Sequence, residues 1–182
     1  MAIHLPPQKR TIVRIIRRRE SRPVVETLRP HHLPGVAAMA ESLSTRSLYY
    51  RFFAGTPKVP PQLLRQLATL DHDQREAVVA VHRGRVIGLA LYVRLPDTRR
   101  ADLAVLVVDA WQHRGIGRRM VSRLATLAAR RGITSFDASV LPENKAALRA
   151  VARLWPGAAP RPDEDCVHYS LPTLLMTRGQ TP

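Results

Sequence analysis

Apolar residues change their rhythm partway along this chain of 182 residues. Behind the proline pair of "PPQLLRQLATL", Leu63, Leu64, Leu67 and Leu70 recur three or four apart, which predicts a helix with one apolar face. The runs "EAVVAVH", "RVIGLALYV" and "ADLAVLVV" are instead continuous and valine-rich, cut by "RG" and "LPDTRR". Such runs predict strands, and three in succession with short links predict an antiparallel meander. Upstream, "VVETL" predicts a short strand, "RPHHLPGVAAMAESL" a helix with a proline near its start, and "TRSLYYRFF" a second helix. Downstream, Ile116, Met120, Val121, Leu124, Leu127 and Ala128 form an apolar stripe with arginines elsewhere around it, an amphipathic helix ending at Gly132. "ITSFDASV" then predicts a strand, "ENKAALRAVARLW" a helix, and "CVHYSL" a last strand after the proline- and acid-rich "PGAAPRPDED". Strands and helices in this order predict an α/β (α+β) fold.

Length and composition narrow the class without choosing a function. The chain is long enough for one core, and no apolar run nears the roughly 20 residues that cross a bilayer, so no membrane association is expected. The opening "MAIHLPPQKR" lacks the apolar stretch of a secretory signal, and a cytoplasmic location is expected. Cys166 is the only cysteine, which leaves no internal disulfide or multi-cysteine zinc site and predicts an inert packed thiol. His31, His32, His72, His82 and His113 show no metal-ligand spacing, so no metal is expected. The net charge of +15, from 29 Lys+Arg against 14 Asp+Glu, attracts anionic partners, among them nucleotides, nucleic acid and acidic proteins. Lys9, Arg10, Arg14, Arg17, Arg18, Arg19 and Arg22 make residues 1–22 a basic N-terminal extension. A solvated arm is the expectation there, and contact with nucleic acid the alternative. A single folded domain is expected over residues 23–172, with a fraying tail over 173–182. Monomer and homodimer both remain open.

The candidate chemistry lies in "VDAWQHRGIGRRM", where two glycines sit between a strand ending near Val108 and a helix starting near Gly115. Amides at a helix start have no partners within the helix, the helix dipole favours negative charge there, and glycine lets a ligand approach the backbone. Arg114, Arg118 and Arg119 add positive charge, so a phosphate ester is the natural guest. A P-loop would need lysine and then serine or threonine after its second glycine, where Arg118 and Arg119 stand. A dinucleotide-binding turn finds an acid at Asp137 on the next strand, but its third glycine is missing and "DAWQHR" separates strand from glycine.

"QHRGIG", Gln112 to Gly117, resembles the Gln/Arg-x-x-Gly-x-Gly/Ala pyrophosphate turn of the GNAT superfamily of acyl-CoA-dependent N-acyltransferases. The order of elements from about Val24 to Leu171 is similar as well, including "LPENKAAL" after the strand that follows the turn. "LSTRSLYYRFF", "DHDQREAVVAV" and "ADLAVLVVDAWQHRGIG" together look like the acetyltransferase domain of bacterial protein lysine acetyltransferases and their stand-alone relatives. The resemblance implies a GNAT-type mixed, mostly antiparallel central sheet flanked by helices. It implies N-acetyl transfer from acetyl-CoA to a primary amine, either a protein lysine or a small molecule. The alternative is a non-catalytic acyl-CoA-binding regulatory module whose basic arm docks nucleic acid or an acidic partner.

By that resemblance, the backbone of Leu106, Val107 and Val108 would pair with the pantetheine arm, an amide near Val107 pointing at the thioester oxygen. The amides of Gln112, His113, Arg114, Gly115, Ile116, Gly117 and Arg118 would hold the pyrophosphate, and Asn144 would contact the pantetheine from the following helix. Asp102 stands five residues before Val107, where lysine acetyltransferases of this pattern carry a glutamate, and is the candidate base; a surface pair with Arg99 or Arg100 is the competing expectation. Asp109 is a weaker candidate. Many members carry a tyrosine acid seven residues after the asparagine, but Val151 stands there, leaving water or Tyr169 for that role. Tyr49, Tyr50, Phe52 and Phe53 fall on the helix that lines the acceptor side in this fold.

Overall fold

The computed structural model describes residues 22–53, 55 and 58–174. The basic extension, apart from Arg22, and residues 175–182 of the tail lie outside the described residues. The chain opens with β1 (Val24–Thr27) and a 3-10 turn (Pro30–His32). Three helices follow, α1 (Leu33–Glu41), α2 (Thr45–Phe52) and α3 (Pro61–Ala68). The meander is β2 (Arg75–His82), β3 (Arg85–Arg94) and β4 (Arg100–Val107). Next come α4 (Ile116–Arg130), β5 (Ser135–Val140), α5 (Lys145–Leu154), β6 (Arg161–Pro162) and β7 (Val167–Pro172).

Among the described residues, seven strands make one sheet in the order β1-β2-β3-β4-β5-β7-β6, antiparallel throughout except between β4 and β5. Side chains alternate between its faces, as strand geometry requires. On β4, Ala101, Leu103, Val105 and Val107 pack on one face with Met120 and Leu124 of α4 and Val151 of α5. Ala104 and Val108 face the other way, toward Val36 and Met39 of α1 and Leu67 of α3, and Leu106 meets Leu48 of α2 on that same side. A Cβ at Gly88 would lie 2.9 Å from Cε of Met120 and 3.2 Å from the Leu106 carbonyl, so glycine here lets α4 seat closely on the sheet.

Among the described residues, one carboxylate is wholly inside. Glu76, only 1 % exposed, pairs with Nη2 of Arg131 at 2.9 Å, lies 2.8 Å from Nδ1 of His72 and accepts the Ala77 amide at 3.0 Å. These bonds fasten the end of α4 to β2 and supply the partners without which a buried charge is costly.

Two expected elements differ. The helix read over 29–43 is broken into the 3-10 turn and α1, because Pro34 in the first turn of α1 has no amide to continue an earlier helix. The stretch "PGAAPRPDED" holds the two-residue edge strand β6, too short and too proline-rich to carry a periodic signal.

Candidate functional site

β4 and β5 pair only through Arg100↔Ser135, Ala101↔Phe136 and Asp102↔Asp137. Past that point β4 stays with β3 as far as Val107 and β5 with β7 as far as Val140, so the two central strands part and leave a gap in the sheet. The strands splay without a bulge in β4, whose register with β3 is unbroken from Val107 to Ala101; the register shift lies between β2 and β3, where Ala80 and Val81 pair with Gly88 and Val86 and leave Ile87 unmatched.

Ladder alternation decides which backbone groups face the gap. The Val108 amide donates to the Ile87 carbonyl at 3.0 Å, and in an antiparallel pair every second residue turns its backbone groups to the same neighbour. Leu106 and Val108 therefore direct theirs to β3, while Val105 and Val107 direct theirs toward the gap. Of the three residues expected to offer backbone to a pantetheine arm, Val107 alone is oriented for it. Its carbonyl already accepts Nε2 of Gln112 at 3.1 Å.

Beyond β4, a 3-10 turn over Asp109–Trp111 leads into the glycine turn. Gly115 caps α4 with φ +76°, a left-handed conformation that disfavours any side chain. His113 is also left-handed, at φ 59°. Arg119 donates to the Gly115 carbonyl at 3.1 Å, and the amides just before it, through Arg118, have no acceptor one turn back in the helix. His113, Arg114, Arg118 and Arg119 are exposed around them, while Ile116 is buried and anchors the turn on the core. The Arg114 guanidinium lies 5.0 Å over the Trp111 ring, and His82 packs on the same ring. Amides without helix partners, a helix N-terminus and three exposed arginines make this turn electropositive.

At the closed end of the gap, a cavity of about 370 Å³ is lined by Asp102, Asp137, Ser139, Arg161, His168 and Tyr169, among others. The competing expectation for Asp102, an ion pair with Arg99 or Arg100, is not met. Arg100 engages Asp137 through two nitrogens, and Nε of Arg99 donates to the Gly132 carbonyl at 3.1 Å. Burial and the neighbouring charge of Asp137 push the Asp102 carboxyl above its ordinary value, against the opposing pull of Arg100. Asp109 behaves differently. Burial pushes it up, but hydrogen bonds from the Ser44 hydroxyl, the Ser44 amide and the Ser47 hydroxyl outweigh this and hold its carboxyl below the ordinary value. A carboxylate engaged in this way is a poor base.

Asn144 caps α5, its Oδ1 accepting the Ala147 amide at 3.1 Å, which leaves its side-chain NH2 as the group available to a ligand. Val151 is buried in the core, and Tyr169 packs against that core while lining the cavity. Cys166 is half-buried rather than enclosed, its Sγ 3.3 Å from Nε2 of His168. Sequence reasoning missed Ser44 and Ser47, which bridge α2 to Asp109 and Gln112. Only the Ser44 signal, a serine ahead of a helix, was visible in the chain, and it pointed to a cap.

The sequence profile described as the acetyltransferase (GNAT) family matches residues 42–154. Acetyltransferase PA5475 of Pseudomonas aeruginosa is 30 % identical over 94 residues, covering 50 % of each protein, so the matched region spans about half the length of this curated relative. Among solved structures, the GNAT domain of S. lividans PAT is 25 % identical with a TM-score of 0.76, covering 82 % of this chain and 90 % of that one. The Salmonella typhimurium acetyltransferase yncA, solved with its cofactor acetyl-CoA, shares the fold at 17 % identity and a TM-score of 0.67, covering 89 % and 98 %. No helix among the described residues is long and apolar enough to cross a membrane.

Proposed function

This chain belongs to the acetyltransferase (GNAT) family, and on that premise we propose that it transfers an acetyl group from acetyl-CoA to a primary amine, a protein lysine or a small molecule. The observation that carries this reading is the gap between β4 and β5, which opens past Asp102 and runs to the end of β4 that leads into the glycine turn. A charged diphosphate suits the turn's amides and arginines, and an extended amide-bearing arm suits the backbone groups that Val105 and Val107 turn to the gap. The solved yncA structure with acetyl-CoA supports the same donor.

Each chemical requirement then has a place. The amine must reach the carbonyl carbon neutral, although a lysine-type ammonium has a pKa of about 10.4. Asp102 is the proposed base, its carboxyl open to the cavity and drawn toward the pH range in which a base works. Five residues of extended strand, about 16 Å, separate it from Val107, so its proton transfer runs through water in the cavity. The Val107 amide supplies a donor to the oxyanion as the carbonyl becomes tetrahedral. On collapse the carbon–sulfur bond breaks and CoA departs as thiolate. A thiol pKa of about 8.5 makes that departure possible with water as the only proton source, which fits the apolar Val151.

Calorimetry with acetyl-CoA, followed by release of free CoA in the presence of a panel of amines and acetylatable proteins, tests the proposal. Binding followed by amine-dependent CoA release is expected. Binding with no turnover would favour an acyl-CoA-binding module, and no binding would overturn both.

A further inference from the structure

Helix α2 is joined to both sides of the gap. On the β4 side, the Asp109 carboxylate accepts the Ser44 hydroxyl at 2.7 Å, the Ser44 amide at 3.2 Å and the Ser47 hydroxyl at 3.0 Å. Ser47 is also met by Nε2 of Gln112 at 3.0 Å, the same nitrogen that donates to the Val107 carbonyl. On the β5 side, the Tyr50 hydroxyl, itself held by Nε of Arg46 at 3.0 Å, lies 3.4 Å from the Glu143 carbonyl in the loop before α5. The two attachments are unequal. The first is a charge-assisted cluster on a carboxylate, and such bonds are roughly twice as strong as neutral ones. The second is a single long contact to a backbone oxygen.

This asymmetry makes α2 a strap pinned at one end. We propose that Asp109 is a positioning residue: it fixes the start of α2 to the segment leading into the glycine turn, so that filling the turn orders the helix bordering the acceptor side. Gln112 carries the coupling, because its backbone opens the anion turn while its side chain holds both Ser47 and the end of β4. A phosphate that settles Gln112 to Arg118 thereby settles Ser47 and, through it, Tyr49 and Tyr50. The inference rests on acetyl-CoA being the occupant of the turn.

Amide hydrogen exchange on the full chain, with and without saturating acetyl-CoA, tests the coupling. In the native protein, acetyl-CoA should slow exchange both at residues 113–118 and across α2. In Asp109→Ala, slowing at 113–118 should persist while the slowing across α2 falls by about fivefold or more. The double variant Ser44→Ala/Ser47→Ala, which removes the hydroxyls and leaves the carboxylate, should give the same split and covers the case in which Asp109→Ala does not fold. If the variants raise α2 exchange by the same factor with and without acetyl-CoA, Asp109 merely stabilises the helix and the proposal is overturned. Protection of the turn without protection of α2 in the native protein overturns it too. If the native turn gains no protection, the acetyl-CoA reading itself fails, and the coupling falls with it.

Discussion

Asp102 and Asp137 are the last residues to face each other across β4 and β5 before the strands part. Two carboxylates on one face at the closed end of the gap repel, and Arg100 resolves the conflict by engaging Asp137 and leaving Asp102 free of an ion pair. Asp102→Asn should lower turnover by about tenfold to a thousandfold at neutral pH with acetyl-CoA affinity intact. The deficit should shrink as pH rises and the amine deprotonates unaided. Native turnover across that range in Asp102→Asn would make the residue structural.

Asp137→Asn should move the acidic limb of the pH–rate profile to lower pH. It removes the charge that raises the Asp102 carboxyl and frees Arg100, which lowers it, so both changes act in one direction. An unmoved limb, measured as kcat/KM against pH, would show that Asp102 does not govern it.

The two glycines of the turn should respond differently. Gly117→Ala is expected to be tolerated, because its Cβ would meet only Val105 and Val107 side-chain carbons at 3.8 and 4.0 Å. Gly115→Val forces a β-branched residue to φ +76° and should cost about 1–2 kcal/mol of stability. Both Gly115→Val and Gly117→Leu should weaken acetyl-CoA binding by about tenfold or more while the fold survives, as expected for lost bonds to a charged phosphate. Unchanged calorimetric affinity in both would remove the turn from the site.

Glu76→Ala should destabilise the protein by about 3–5 kcal/mol in urea unfolding, since it strands Arg131 beside the core. A loss below about 1 kcal/mol would mean that water replaces the carboxylate at little cost.

Asp109 should also mark the stability profile. Its carboxyl is held below the ordinary value when folded, so its contribution is complete above the unfolded value of about 3.9 and is lost as pH falls through the folded one. The stability gap between native protein and Asp109→Asn should therefore close in acid. Deleting residues 1–22 should leave acetyl-CoA binding unchanged and reduce whatever salt-sensitive nucleic-acid binding the intact chain shows.

Local signals made much of this protein legible. The valine runs of the meander, the apolar stripe of α4 and the glycines of "QHRGIG" each express a period or a backbone demand within a dozen residues, and the structure places them as strands, helix and turn. A short, proline-bearing edge such as β6 has no period to read. The tertiary structure alone decided where β4 leaves β5, that Val107 rather than its neighbours faces the gap, and that Arg100 pairs with Asp137 rather than with Asp102. It also made Asp109 an anchor for Ser44, 65 residues away in sequence, where the chain offered only a carboxylate beside a turn. Alternation along a strand is a local property. Which residue meets which across a sheet, and which carboxylate gains hydrogen bonds and which a neighbouring charge, depends on contacts that exist only once the chain has closed on itself.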